Sequence, residues 1–182
     1  MIKSILLYSF LLFFLESPAQ LAPKSADEIL KEATTEAAGS GKNVFIIFHA
    51  SWCGWCHKMD SSMNDLTVKS FFDDNYIIRH LTVYESKGKE YLEDPGALEL
   101  LKKYHGNDEG IPFWLIFNKK NELLADSYIL PPGGAMDAKG TNTGCPASDE
   151  EVKYIINVIK KTSRLYDVQL TLIQKRFSRT KE

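Results

Sequence analysis

The sequence predicts an α/β fold: a mixed central sheet of four to five strands flanked by helices, with a helical extension at its C-terminal end. Three observations predict it. The run Val44-Phe45-Ile46-Ile47-Phe48 is apolar throughout, the pattern of a strand buried on both faces. Stretches with helical spacing alternate with strand-like ones along the chain. Two Ser-x-x-Glu sequences, starting at Ser25 and Ser148, have the form of capping boxes that open helices. Alternation of this kind places helices on both faces of the sheet. Right-handed crossovers make the early strands parallel, and a late hairpin makes the last one antiparallel.

The elements follow in order. Residues 1–19 read as a secretory signal peptide. Lys3 supplies the positive end, residues 5–15 are apolar except for Ser9, and Ser17-Pro18-Ala19 offers a cleavage site. A membrane span needs about 20 apolar residues, so an anchor is the weaker reading. The main domain is then assigned to 20–162 and the helical extension to 163–182. After Ser25, Ile29, Leu30, Ala33 and Ala37 fall on one helical face, and Gly39-Ser40-Gly41 stops that helix. The strand at 44–48 leads through a Cys-containing turn into a helix reaching Met59. Thr67 is placed to cap a short helix carrying Val68, Phe71 and Phe72.

Residues 76–84 form the second strand. Asp94-Pro95 opens a further helix, with Pro in its first turn. Residues 113–117 form the third strand, 118–121 a turn, and 122–129 its hairpin partner. The stretch 131–147 holds three Pro and four Gly and reads as loop. The second capping box opens a helix through Val152, Ile155, Ile156 and Ile159. The extension carries Leu165, Val168, Leu172, Ile173 and Phe177. Its basic end (Lys175, Arg176, Arg179, Lys181) reads as a solvated helix terminus.

Composition excludes some classes. Twenty-two basic against 24 acidic residues give a formal charge of −2, so no basic surplus exists for gripping nucleic acid. Ten Phe, eight Tyr and three Trp are ample for a core. Three cysteines (Cys53, Cys56 and Cys145) are too few for a disulfide scaffold, and an odd number cannot all pair within one chain.

Cys53-Gly54-Trp55-Cys56 follows the first strand and opens a helix. A thiolate there meets unpaired backbone N–H groups and the positive end of the helix dipole. Both lower its pKa and raise its reactivity. With two residues between them, the thiols can approach to bonding distance and cycle between dithiol and disulfide.

Residues 44–59, from Val44 through Ser51-Trp52-Cys53-Gly54-Trp55-Cys56-His57-Lys58-Met59, resemble the strand–CxxC–helix unit of the thioredoxin-like superfamily. Gly110-Ile111-Pro112-Phe113-Trp114 is similar to that superfamily's cis-proline segment. The resemblance runs from about Ala26 to Lys161 and implies a three-layer fold. It also implies a thiol–disulfide oxidoreductase working in the reductase or isomerase direction, while the leader at 1–19 implies secretion, which in a Gram-negative bacterium would mean the periplasm.

Cys53 is then the nucleophile on protein disulfides, and Cys56 resolves the mixed disulfide. Ile111 and Pro112 shape the groove that docks substrate, Trp52 is a platform or a packing residue, and Gly54 and Trp55 tune the pair. The implied partners are protein disulfides and a membrane-bound electron donor, with no nucleic acid; the chain is expected to be a monomer. No cofactor beyond the Cys pair and no metal is expected.

One departure matters. Better-known thioredoxins carry a buried acid in the strand before the Cys pair, and Ile47 stands at that position here. His49, His57 and His80 are candidates for the missing proton transfer, beside water; each also reads as an ordinary surface or packing residue. Cys145 reads as a small loop residue, a buried thiol, an intermolecular bridge or a third redox partner.

Rival readings are kept. A thioredoxin-like binding or chaperone module would have a non-essential Cys pair. Structural zinc would need four ligands, and no spacing favours it. Cys53-Gly54-Trp55-Cys56-His57 also fits c-type haem attachment, which a Soret band would reveal. A peroxidase of the same superfamily lacks its Pro-x-x-x-Thr-x-x-Cys segment.

Overall fold

The computed structural model describes residues 23–130 and 140–180. The expected signal peptide and much of the Gly/Pro-rich loop lie outside the described residues. Both capping boxes form. The Glu28 backbone N–H donates to Ser25 Oγ at 3.3 Å, and Glu28 Oε2 accepts the Ser25 N–H at 2.8 Å. They start α1 (Ala26–Ser40), which Gly41 ends in the left-handed region at φ 69°. Ser148 and Glu151 do the same for α5 (Asp149–Thr162).

The other α-helices and strands among the described residues are β1 (Asn43–His49), α2 (Gly54–Met63), α3 (Lys69–Asn75), β2 (Tyr76–Thr82), α4 (Ala97–Lys103), β3 (Phe113–Phe117), β4 (Leu123–Asp126), β5 (Tyr128–Ile129), β6 (Thr141–Asn142) and α6 (Asp167–Phe177). The main sheet has the order β2-β1-β3-β4. β1 and β2 run parallel, while β3 is antiparallel to both β1 and β4.

Alternation along β1 divides the core. Phe45 and Ile47 face α2, α3, α5 and α6, packing with Met59, Phe72, Ile155 and Phe177. Val44, Ile46 and Phe48 face α1 and α4, packing with Ala33, Ala37 and Leu101. Both faces of the central strands are therefore covered, which is why they read as unbroken apolar runs. The result is the expected three layers.

Several expectations need correction. Asp94-Pro95 does not open α4, which starts at Ala97 with Gly96 as its cap. The Asp94 carboxylate accepts the Thr82 N–H at 2.7 Å, and the Pro95 carbonyl accepts the Ala26 N–H at 2.8 Å. That dipeptide joins β2 to α1 instead. Thr67 caps nothing: its N–H and hydroxyl both donate to Asp65 Oδ1, at 2.9 and 2.6 Å. The second strand ends at Thr82 rather than at Tyr84. The hairpin partner divides at Ser127, and Tyr128–Ile129 pairs with Thr141–Asn142 in a separate ribbon.

The C-terminal extension is a wall of the core. α6 buries Leu170, Ile173 and Phe177, while Val168 and Leu172 are exposed. Its basic end is only partly solvated. Arg176 Nε donates to Asp65 Oδ2 at 2.9 Å.

Candidate active site

Strand pairing assembles the site. Phe48 near the end of β1 pairs with Phe113 at the start of β3. Residues just after β1 and just before β3 therefore meet, although they are far apart in sequence. Cys53 is the cap of α2, and its N–H donates to the Ala50 carbonyl at 3.1 Å. Its Sγ accepts the Cys56 N–H at 3.1 Å. The two cysteines form a disulfide with Cα atoms 5.3 Å apart. Both are buried, packed against Ala50 and Ile111. The first turn of α2 contains no acidic residue, so nothing there offsets the positive end of the helix dipole. The Ile111–Pro112 bond is cis, and the Ile111 carbonyl oxygen lies 3.6 Å from Cys53 Sγ.

The aromatic flanks are half open. Trp52 is 56% and Trp55 49% exposed. The Trp52 indole N–H donates to the Tyr84 carbonyl at 2.7 Å, which fixes the ring beside the pair. The Lys58 ammonium sits 4.9 Å from the Trp55 ring centroid. Gly54 is exposed, and a Cβ built there would meet nothing within 4 Å.

The three histidines divide. His57 is exposed, and its Nε2 lies 3.0 Å from the Ser51 carbonyl oxygen. His49 and His80 stand on β1 and β2 with ring centroids 4.9 Å apart. His80 Nε2 is 2.8 Å from Asp60 Oδ1, one helical turn beyond Cys56 on α2, and His49 Nε2 is 3.3 Å from Thr82 Oγ1. Burial, and then the neighbouring His80, push the His49 pKa below its ordinary 6.5; Asp60, Asp94 and Glu85 oppose the shift.

The folded state therefore takes up the His49 proton less readily than the unfolded chain. Its contribution to stability is complete above about pH 6.5 and is lost as pH falls through the folded value. Urea unfolding of wild type and His49→Gln at pH 7.5 and 5 is expected to show the smaller acid loss in the variant. Equal losses would remove His49 from this account.

Two groups near the site went unread in the sequence. The Glu85 carboxylate accepts the Ser51 N–H and, at 2.7 Å, the Ser51 hydroxyl, anchoring the turn before Cys53. These bonds hold its pKa below the usual carboxylate range. Asn142 fastens the proline segment. Its Nδ2 lies 3.2 Å from the Glu109 and Gly110 carbonyl oxygens and 3.1 Å from that of Pro112. Its Oδ1 accepts the Gly144 N–H at 2.9 Å, and the Gly144 carbonyl accepts the Trp114 indole N–H at 3.1 Å. Gly144 has φ 51°, and a Cβ there would come within 3.3 Å of the Pro112 oxygen. An Asn two residues before a Gly signals a local turn; its distant carbonyl partners carry no local signal.

Cys145, next to Gly144, is a buried free thiol. Burial pushes its pKa up to about 12, so it stays protonated and unreactive. Of the readings open from sequence, the structure selects the buried thiol. A cavity of about 980 Å³ lies against β4 and α5, and among the described residues its lining includes none of the predicted site residues.

Residues 26–119, which carry both the Cys pair and the cis-proline segment, match the model of the thioredoxin-like family. The chain belongs to the thioredoxin-like family. Solved structures similar to this thioredoxin-like chain include a disulphide isomerase from Xylella fastidiosa Temecula1, at 18% identity and TM-score 0.47, covering 62% of this chain and 79% of that one. The C-terminal domain of Neisseria meningitidis DsbD in the oxidised form is 21% identical with TM-score 0.41, covering 58% of this chain and 84% of that one. A thioredoxin-fold protein from Helicobacter pylori is 14% identical with TM-score 0.40, covering 77% and 84%. Likenesses of that degree carry nothing about activity.

Proposed function

We propose that this thioredoxin-like protein is a secreted thiol–disulfide oxidoreductase acting on protein disulfides, in the reductase or isomerase direction. One observation carries the reading. Cys53 caps α2 beside the cis Ile111–Pro112 bond, with Cys56 one turn along and linked to it. In the reduced protein the Cys53 thiolate attacks one sulfur of a substrate disulfide. A mixed disulfide forms and the first substrate thiolate leaves. Cys56 then attacks Cys53 Sγ, the second substrate thiolate leaves, and the protein holds the disulfide. Two electrons pass to the substrate, and a donor dithiol restores the pair.

Backbone groups of Ile111 and Pro112 dock the substrate chain, and the exposed Trp52 and Trp55 rings flank it. Ile47 is 1% exposed and has no group that could take the Cys56 proton, so that step falls to an imidazole or to water. The apolar leader supports export to the periplasm, where a membrane-bound protein would supply electrons. Reduction of insulin disulfides with dithiothreitol as donor tests the reading. Wild type is expected to accelerate it and Cys53→Ser to fall to the uncatalysed rate. Equal rates for the two proteins would sink it.

A further inference from the structure

We infer that a basic cleft beside the Cys pair selects disulfide substrates that carry acidic residues next to their cystine. The inference rests on the oxidoreductase reading and names a substrate class for it. The fold brings the residues just after α6 alongside α2, more than a hundred residues away. Lys58 Nζ donates to the Thr180 carbonyl at 3.1 Å, and Ser62 Oγ lies 3.4 Å from Thr180 Oγ1. Between the two helices lies a cleft of about 270 Å³ whose lining includes Gly54, His57, Lys58, Arg176 and Arg179. Gly54, which directly follows Cys53, lines the cleft, so the cleft lies within reach of a substrate chain joined to Cys53.

The charges there are one-sided. Among the described residues no carboxylate lines the cleft. Arg176 is paired with Asp65. Lys58 has a carbonyl and the Trp55 ring as partners, and Arg179 is exposed; among the described residues neither is in an ion pair with a carboxylate. The positive end of α2 adds to the field, because its first turn holds no acid. All this occurs on a chain whose formal charge is −2, so it is a local feature and no reflection of overall composition. Lys58 is already held by its two partners and loses little freedom on meeting an anion. Because the groups are exposed, their effect falls on encounter and KM, and salt screens it.

The test uses three peptides with the same cystine, flanked by Glu, Ser or Lys, and a dithiol as donor. At low ionic strength kcat/KM is expected to be about tenfold higher for the Glu peptide than for the Lys peptide, mainly through KM. Arg179→Glu and, separately, Lys58→Gln are expected to shrink that ratio, and about 0.5 M salt to remove it. Equal kcat/KM for all three peptides in wild type would overturn the selectivity and leave the oxidoreductase reading standing. A preference that survives Arg179→Glu combined with Lys58→Gln would overturn it too. Turnover of none of the peptides would overturn both readings.

Discussion

The Cys56→Ser protein, once reduced and mixed with a disulfide-bearing substrate, is expected to stop at a covalent adduct through Cys53. The reason lies in the order of the two sulfurs. Cys53 caps α2 and sits 3.6 Å from the Ile111 carbonyl at the proline segment, the docking place in the proposed function. Cys56 lies within the first turn at 1% exposure, behind it. On the proposed reading, attack on the substrate belongs to Cys53, which borders the proline segment, and release to Cys56. Serine keeps the helix but cannot displace the mixed disulfide. Turnover is expected to fall by about a hundredfold or more, since the two thiols act as a unit. Non-reducing electrophoresis would show the adduct, and mass spectrometry would locate it on Cys53. An adduct absent while turnover persists would mean that the roles are misassigned.

Asn142→Ala is the second large effect. One amide lies within hydrogen-bonding distance of three carbonyls of the segment that contains the cis bond, and its oxygen takes the Gly144 N–H. Alanine leaves these groups to find water or go unpaired, at a cost of about 2–3 kcal/mol in unfolding free energy. The loosened segment also positions Ile111 and Pro112 less well. For a peptide disulfide, kcat/KM is expected to drop by about tenfold or more, mostly in KM. Asn142→Asp is expected to be no better, because a carboxylate cannot donate to the carbonyls. Unfolding curves that overlay wild type would remove Asn142 as the clamp.

What the sequence made legible was local. Both capping boxes involve residues three apart, and both form as written. The apolar runs at β1 and β3 report burial on two faces, which the layered core produces. The Cys pair announces itself because its chemistry needs only a helix start and a three-residue spacing. Pro112 was reachable only through the resemblance to thioredoxin-like chains, since nothing in its own neighbours says that it will face a cysteine.

One miss is local: Thr67 donates to Asp65 two residues before it and caps no helix. The others are long-range pairs. Asp65 receives Arg176 from the other end of the chain. Asp60 meets His80 across an intervening helix, and Asn142 reaches back to Glu109. Such pairings are set by strand order and helix docking, not by local pattern. The basic C-terminal run shows the same limit. Read alone it is a solvated helix end; in the fold, Arg176 and Arg179 line a cleft with Lys58.

Cys53 and Cys56 are expected to form a reversible redox couple and not a structural staple. A redox titration tests it most directly, with alkylation of free thiols and intact-mass readout at each glutathione ratio. The expected result is one two-electron transition between no label and two labels, at a potential between thioredoxin's approximately −270 mV and approximately −120 mV. Cys145 should stay unlabelled until the protein is unfolded. A pair that remains oxidised below about −300 mV would be a structural disulfide and would contradict the account.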